Sequence, residues 1–111
     1  MKILCVEDDI NLGQLLKITL AKDSYQVELA ENGQIGYELA KKLAYDLIIL
    51  DLLLPKINGI ELCKLLRSEK SVDIHHNRYT PIILMTALDS VTNKVVGLDA
   101  GADDISTAVS R

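Results

Sequence analysis

Two observations predict an α/β fold with a parallel sheet. Short runs that are apolar at every position alternate along the chain with helical patterns, and the connections between the runs are long enough for right-handed crossovers. The first run, Ile3 to Val6, is too short for a helix and reads as a strand covered on both faces. A helix beginning near Asn11 follows, with Gln14 three residues on. Its Leu12, Leu15, Leu16, Thr19 and Leu20 form one stripe aimed at the sheet. From Gln26 to Ala30 the pattern changes, because Val27 and Leu29 alternate with Gln26 and Glu28, and that places this strand at a sheet edge.

After the Asn32-Gly33 turn, Ile35, Leu39, Ala40 and Leu43 define a second helix, with Lys41 and Lys42 near its end complementing the helix dipole. Leu47 to Leu50 is a second fully apolar strand. A third helix starts near Asn58, where Glu61 supplies the reciprocal half of a capping-box-like start, and it runs through Leu62, Leu65 and Leu66. The stretch from Ser68 to Thr80 is polar and without a clean period, so most of it is expected to be an exposed excursion, with His75-His76 in a loop rather than at a metal. Ile82 to Met85 is the last apolar run. A fourth helix carries Val91, Val95 and Leu98 and is closed by Gly101.

The chain has 111 residues, 49% of them hydrophobic, which suits one domain with an ordinary core. With 12 Lys+Arg against 16 Asp+Glu and no basic block, direct nucleic-acid contact by this segment is not expected. No apolar run approaches the roughly 18 residues of a membrane span, and the N-terminus does not read as a signal peptide. A cytoplasmic location is expected. Cys5 and Cys63 lie within apolar stretches and are expected to be buried free thiols. The tyrosines Tyr25, Tyr37, Tyr45 and Tyr79 suit helix edges. Gly-rich phosphate loops are absent.

Chemistry is expected where the buried strands end. The first runs into Glu7-Asp8-Asp9, the next into Asp51 and the last into Thr86. In an open parallel sheet, ligands bind outside the carboxyl ends of the strands. Each residue alone has a structural explanation, dipole for the acids and turn chemistry for Asp51 ahead of Pro55. Three strand ends agreeing point further. Carboxylates so crowded repel one another unless a hard cation neutralises them, and Mg²⁺, with oxygen ligands and room left for phosphate, suits the set. The parts are those of phosphoryl transfer to an aspartate.

These residues carry a family resemblance. Lys2 to Asp9, Tyr45 to Pro55 with Asn58-Gly59, Pro81 to Ala87 and Gly97 to Asp104 together resemble the receiver domain of bacterial two-component response regulators, most of all those with a winged-helix DNA-binding output domain. The resemblance implies a doubly wound, flavodoxin-like five-stranded parallel sheet in the order 2-1-3-4-5. It implies Asp51 as the acceptor of phosphate from a sensor histidine kinase or phosphotransfer protein. Glu7, Asp8, Asp51 and the backbone carbonyl of Leu53 match the family's Mg²⁺ ligands, and Thr86 matches its switch hydroxyl.

The end of the chain departs from that pattern. Where the family carries an aromatic, a lysine and a proline, this sequence has Ile105, Ala108 and Val109, and no residues remain for a fifth helix. Residues 1–111 therefore read as a single receiver domain, truncated or altered after about residue 104. The missing helix leads us to expect a homodimer, with a second copy covering the sheet face beside the first helix. The leading reading is a phosphoacceptor signalling domain rather than an enzyme acting on a diffusing substrate. A second is a degenerate receiver that serves only as a protein-interaction module. A phosphatase with an aspartyl-phosphate intermediate ranks last, since the position two after Asp51, where a second acid would stand, is Leu53.

Overall fold

The computed structural model describes residues 1–51, 54, 56–68, 77–86 and 104–107, with Thr86 and 104–107 as backbone alone. The fourth helix with Gly101, the His75-His76 pair, Leu53, Ala108 and Val109 lie outside the described residues. In chain order the elements are β1 (Lys2–Val6), α1 (Ile10–Ala21), β2 (Gln26–Ala30), α2 (Gly33–Lys42), β3 (Leu47–Asp51), α3 (Gly59–Arg67), β4 (Ile82–Thr86) and β5 (Asp104–Thr107). All pairings are parallel, and the strand order is β2-β1-β3-β4-β5. One edge strand is β2, as its alternation predicts, and β5 is the other. The backbone of Asp104–Thr107 pairs with β4, Leu84 opposite Ile105, so a fifth strand forms where the sequence leaves the family pattern.

Side chains alternate across a strand, so each central strand feeds two cores. One, under α2 and α3, holds Leu4, Val6, Ile48, Leu50, Leu62, Leu66, Ile82 and Leu84. The other holds Ile3, Cys5, Val27, Ile49 and Met85, with Leu16 and Leu20 of α1 packed against it. Helices on both faces make the sheet doubly wound. Both cysteines are buried and neither is in a disulfide.

Three local expectations need correcting. The N-cap of α1 is Asp9, not Asn11: its carboxylate accepts the Leu12 N–H at 3.1 Å, which starts the helix at Ile10. The α1 stripe also splits. Leu16 and Leu20 face the sheet with the buried Gly13, which approaches Leu29, while Leu15 is 59% exposed and Thr19 is exposed too. On α2 the buried face is Gly33, Gly36 and Ala40, and Ile35 and Leu43 are 37% and 36% exposed, because close glycine contacts bring the helix down on Val6 and Ile57.

The polar excursion is not exposed throughout. Asn77 is fully buried, its Oδ1 accepting the Tyr45 N–H at 2.9 Å and its Nδ2 donating to the carbonyls of Ala40 at 2.7 Å and Leu43 at 2.8 Å. Thr80, also buried, lies with Oγ1 3.2 Å from Tyr45 O and 3.1 Å from Asn77 Oδ1. One amide thus satisfies the orphan carbonyls at the end of α2 and the amide that leads into β3. Tyr45 itself is core rather than helix edge, buried with its hydroxyl 3.3 Å from Glu28 Oε2. Among the described residues on the sheet face beside α1, Ile49 and Met85 are buried and Leu47 and Ile83 are half-buried, while Leu15 and Ile18 of α1 are exposed. None of the described helices is long and apolar enough to cross a membrane.

Candidate functional site

Strand register builds the site. Val6 of β1 is level with Leu50 of β3, so the next residues, Glu7 and Asp51, come side by side at the carboxyl end of the sheet. Asp51 is level with Met85 of β4, which places Thr86 one step beyond it on the neighbouring strand. The Glu7 N–H donates to Ala30 O at 2.9 Å, which keeps the end of β1 on β2 as the chain turns upward.

The acids then divide their work. Asp9 is spent on the α1 cap, and its own N–H donates to Glu7 Oε1 at 3.1 Å. Asp8 is left exposed, beside two acids that are nearly closed off from solvent, Glu7 at 4% and Asp51 at 2% exposure. One carboxylate oxygen from each of Glu7, Asp8 and Asp51 lies within 4.8 Å of the others. These are three of the residues expected at the site. Thr86 ends β4 beside them, and Leu53 lies outside the described residues.

The negative field reaches beneath the cluster. Burial, reinforced by the charges of Glu7 and Asp51, pushes the Cys5 thiol up to about 12. A thiol so held is inert packing rather than a nucleophile. Three converging carboxylates, two of them buried, offer an all-oxygen donor set that fits a hard divalent cation.

The connection from β3 into α3 is held from two sides. Asn58 caps α3 by accepting the Glu61 N–H at 2.9 Å, and Glu61 answers at the Asn58 side-chain amide, 2.7 Å away. Lys56 takes a left-handed backbone, φ 70, to make the turn. On the other side, α2 begins so close that a Cβ on Gly33 would sit 1.7 Å from Ile57 O. Read from sequence, Gly33 is a turn residue, and this close approach carries no signal in periodicity or spacing.

A doubly wound parallel sheet with an acidic cluster at the carboxyl ends of its central strands defines a flavodoxin-like domain with its site at the topological switch point. The chain belongs to the response regulator receiver domain family, whose model matches residues 3–107. It is 48% identical over 102 residues to the response regulator ArlR of Staphylococcus haemolyticus, a match that covers 92% of this chain and 43% of that protein. The chain thus spans less than half the length of that relative. Among solved structures, chemotaxis protein CheY4 of Vibrio cholerae superposes with a TM-score of 0.88 at 30% identity, covering 99% of this chain and 88% of that one. The beryllofluoride-activated N-terminal receiver domain of Klebsiella pneumoniae RstA gives 0.85 at 32% identity, covering 100% and 88%. The domain is therefore a receiver of two-component signalling, with the family's acidic pocket in place.

Proposed function

We propose that this domain takes a phosphoryl group onto Asp51 from the phosphohistidine of a sensor kinase or phosphotransfer protein, with Mg²⁺ at Glu7, Asp8, Asp51 and the Leu53 carbonyl. The observation that carries the reading is the convergence of the three carboxylates, Asp51 among them, at the carboxyl end of β1 and β3. Bound Mg²⁺ would supply charge neutralisation for the phosphoryl oxygens. Asp51 supplies the nucleophile. As its carboxylate oxygen forms a bond to phosphorus, the bond from phosphorus to the donor imidazole nitrogen breaks, and the electron pair leaves with the ring. Burial of Asp51 limits approach to the side where the phosphodonor arrives.

Thr86, at the end of β4, is assigned the hydroxyl that meets the phosphoryl group and reports its presence. The output, by resemblance to regulators that carry a winged-helix domain, is transcription in a longer protein, and the domain works in the cytoplasm. It is a signalling acceptor and not an enzyme with a diffusing substrate. Nothing in the comparisons favours the degenerate interaction module.

The test is intact mass after incubation with Mg²⁺ and acetyl phosphate. A single phosphoryl adduct is expected, absent in Asp51→Asn and reduced at least tenfold in rate in Asp8→Asn, a loss of about 1.4 kcal/mol of transition-state stabilisation. No adduct on a folded chain that binds Mg²⁺ would overturn the reading.

A further inference from the structure

Two buried glycines of α2, Gly33 and Gly36, lie one turn apart, and what excludes a side chain differs between them. Both have helical backbone, in which alanine is the better residue, so it is space and not dihedral freedom that calls for glycine at either position. A Cβ on Gly36 would meet Val6 Cγ2 at 2.7 Å and Leu62 Cδ2 at 3.3 Å, the ends of side chains that can turn aside. A Cβ on Gly33 would meet backbone, Ile57 O at 1.7 Å and Ile57 C at 2.6 Å. No rotamer relieves that clash. Ile57 belongs to the connection that leaves Asp51 and enters α3, six residues after Asp51 and four after Leu53.

We propose that Gly33 is a positioning residue for the Mg²⁺ site, its bare first turn of α2 being the rest against which the connection from Asp51 is set. The proposal rests on Mg²⁺ binding at Glu7, Asp8, Asp51 and the Leu53 carbonyl. The helix is the fixed partner. Its first turn is tied to Asn32, whose Oδ1 accepts the Ile35 N–H at 2.9 Å and whose carbonyl accepts the Gly36 N–H at 3.1 Å. Gly36 then seats the helix on Val6, the residue before Glu7. Both ends of the connection are anchored too, Asp51 by its pairing with Met85 and Asn58 by its reciprocal cap with Glu61. Between those anchors, with Lys56 left-handed at φ 70, lies the part that must yield to a methyl group on Gly33. The same part holds the Leu53 carbonyl. Mg²⁺ accepts ligands only in near-octahedral geometry at about 2.0–2.1 Å, so a slightly displaced carbonyl loses much of its hold.

The test is Mg²⁺ binding by titration calorimetry on the whole chain, with thermal unfolding in EDTA read alongside. Gly33→Ala and Gly36→Ala are both expected to lower the unfolding temperature. Only Gly33→Ala is expected to weaken Mg²⁺ binding, by about 10-fold, the scale typical when a group that orients a metal ligand is changed. A merely structural glycine would move stability and leave affinity alone. If Gly33→Ala does not fold, hydrogen exchange on the parent chain carries the test by linkage, since Mg²⁺ that fixes the connection against Gly33 must also steady the first turn of α2. Saturating Mg²⁺ is then expected to slow exchange at Ile35 and Gly36 more than at Leu43, whose N–H donates to Leu39 O at the far end of the helix. Parent affinity in a folded Gly33→Ala, or equal weakening in both variants, overturns the positioning role and leaves the metal site standing. Equal slowing at both ends of α2, where the variant does not fold, does the same. A parent chain that binds no Mg²⁺ overturns the metal site itself, and the positioning role with it.

Discussion

Cys5 lies beneath the acidic cluster with its thiol pushed up from 9.0 to about 12, chiefly by burial and further by the charges of Glu7 and Asp51. An acid whose folded pKa is raised stabilises fully below the unfolded value and loses that contribution as pH climbs through the folded one. The window here runs from about 9 to about 12, and the contribution at stake is of order 4 kcal/mol. Tyr45, raised by burial and by Glu28, acts in the same direction. Urea midpoints measured from pH 8 upward should therefore fall, and in Cys5→Ala they should fall less steeply; equal slopes would remove Cys5 from the account. Asn77 gives a test of opposite chemistry. Its Nδ2 donates to two carbonyls at 2.7 and 2.8 Å, so Asn77→Asp faces an acceptor with two acceptors in a fully buried site. A loss of roughly 3 kcal/mol or more is expected near neutrality. A carboxyl in that place has its folded pKa raised, so the deficit relative to the parent chain should shrink as pH falls and the acid is protonated. A deficit constant from pH 7 to pH 4 would contradict this.

Element boundaries show where sequence reasoning is strong and where it stops. The starts of α2 and α3 are legible because Asn32 and Asn58 each precede a helical period and each side chain does accept the N–H three residues on. The start of α1 is not, because three acids in a row and Asn11 are all competent caps, and only the fold decides between them. Fixing Glu7 beside Asp51 through strand register leaves Asp9 at the turn, where it caps. Asp9→Ala should accordingly cost about 1 kcal/mol in thermal or urea unfolding of dilute protein, and Asn11→Ala only a few tenths. Equal effects would return the cap to Asn11. The rotation of α1 was equally hidden. A leucine at 15 fits a sheet-facing stripe by period alone, and it is the buried Gly13 beside Leu29 that turns the helix and leaves Leu15 outside.

At the scale of the whole molecule, the sheet was readable because fully apolar four-residue runs have few homes other than a doubly covered parallel sheet. The acidic cluster was readable for a related reason: residues directly after such runs must gather at one end. What could not be read was how the N-terminal ends are tied together. Asn77 sits in a polar stretch with no period, and a buried hydrogen-bonded amide leaves no mark in a hydropathy pattern. The bond proposed between an oxygen of Asp51 and phosphorus can be trapped chemically. After reaction with acetyl phosphate and Mg²⁺, borohydride reduction converts an aspartyl phosphate to homoserine, and peptide sequencing by mass spectrometry locates it. Homoserine is expected at position 51. Homoserine at Asp8 or Glu7's counterpart alcohol instead, or no reduction product from a chain that carries the adduct, would contradict it.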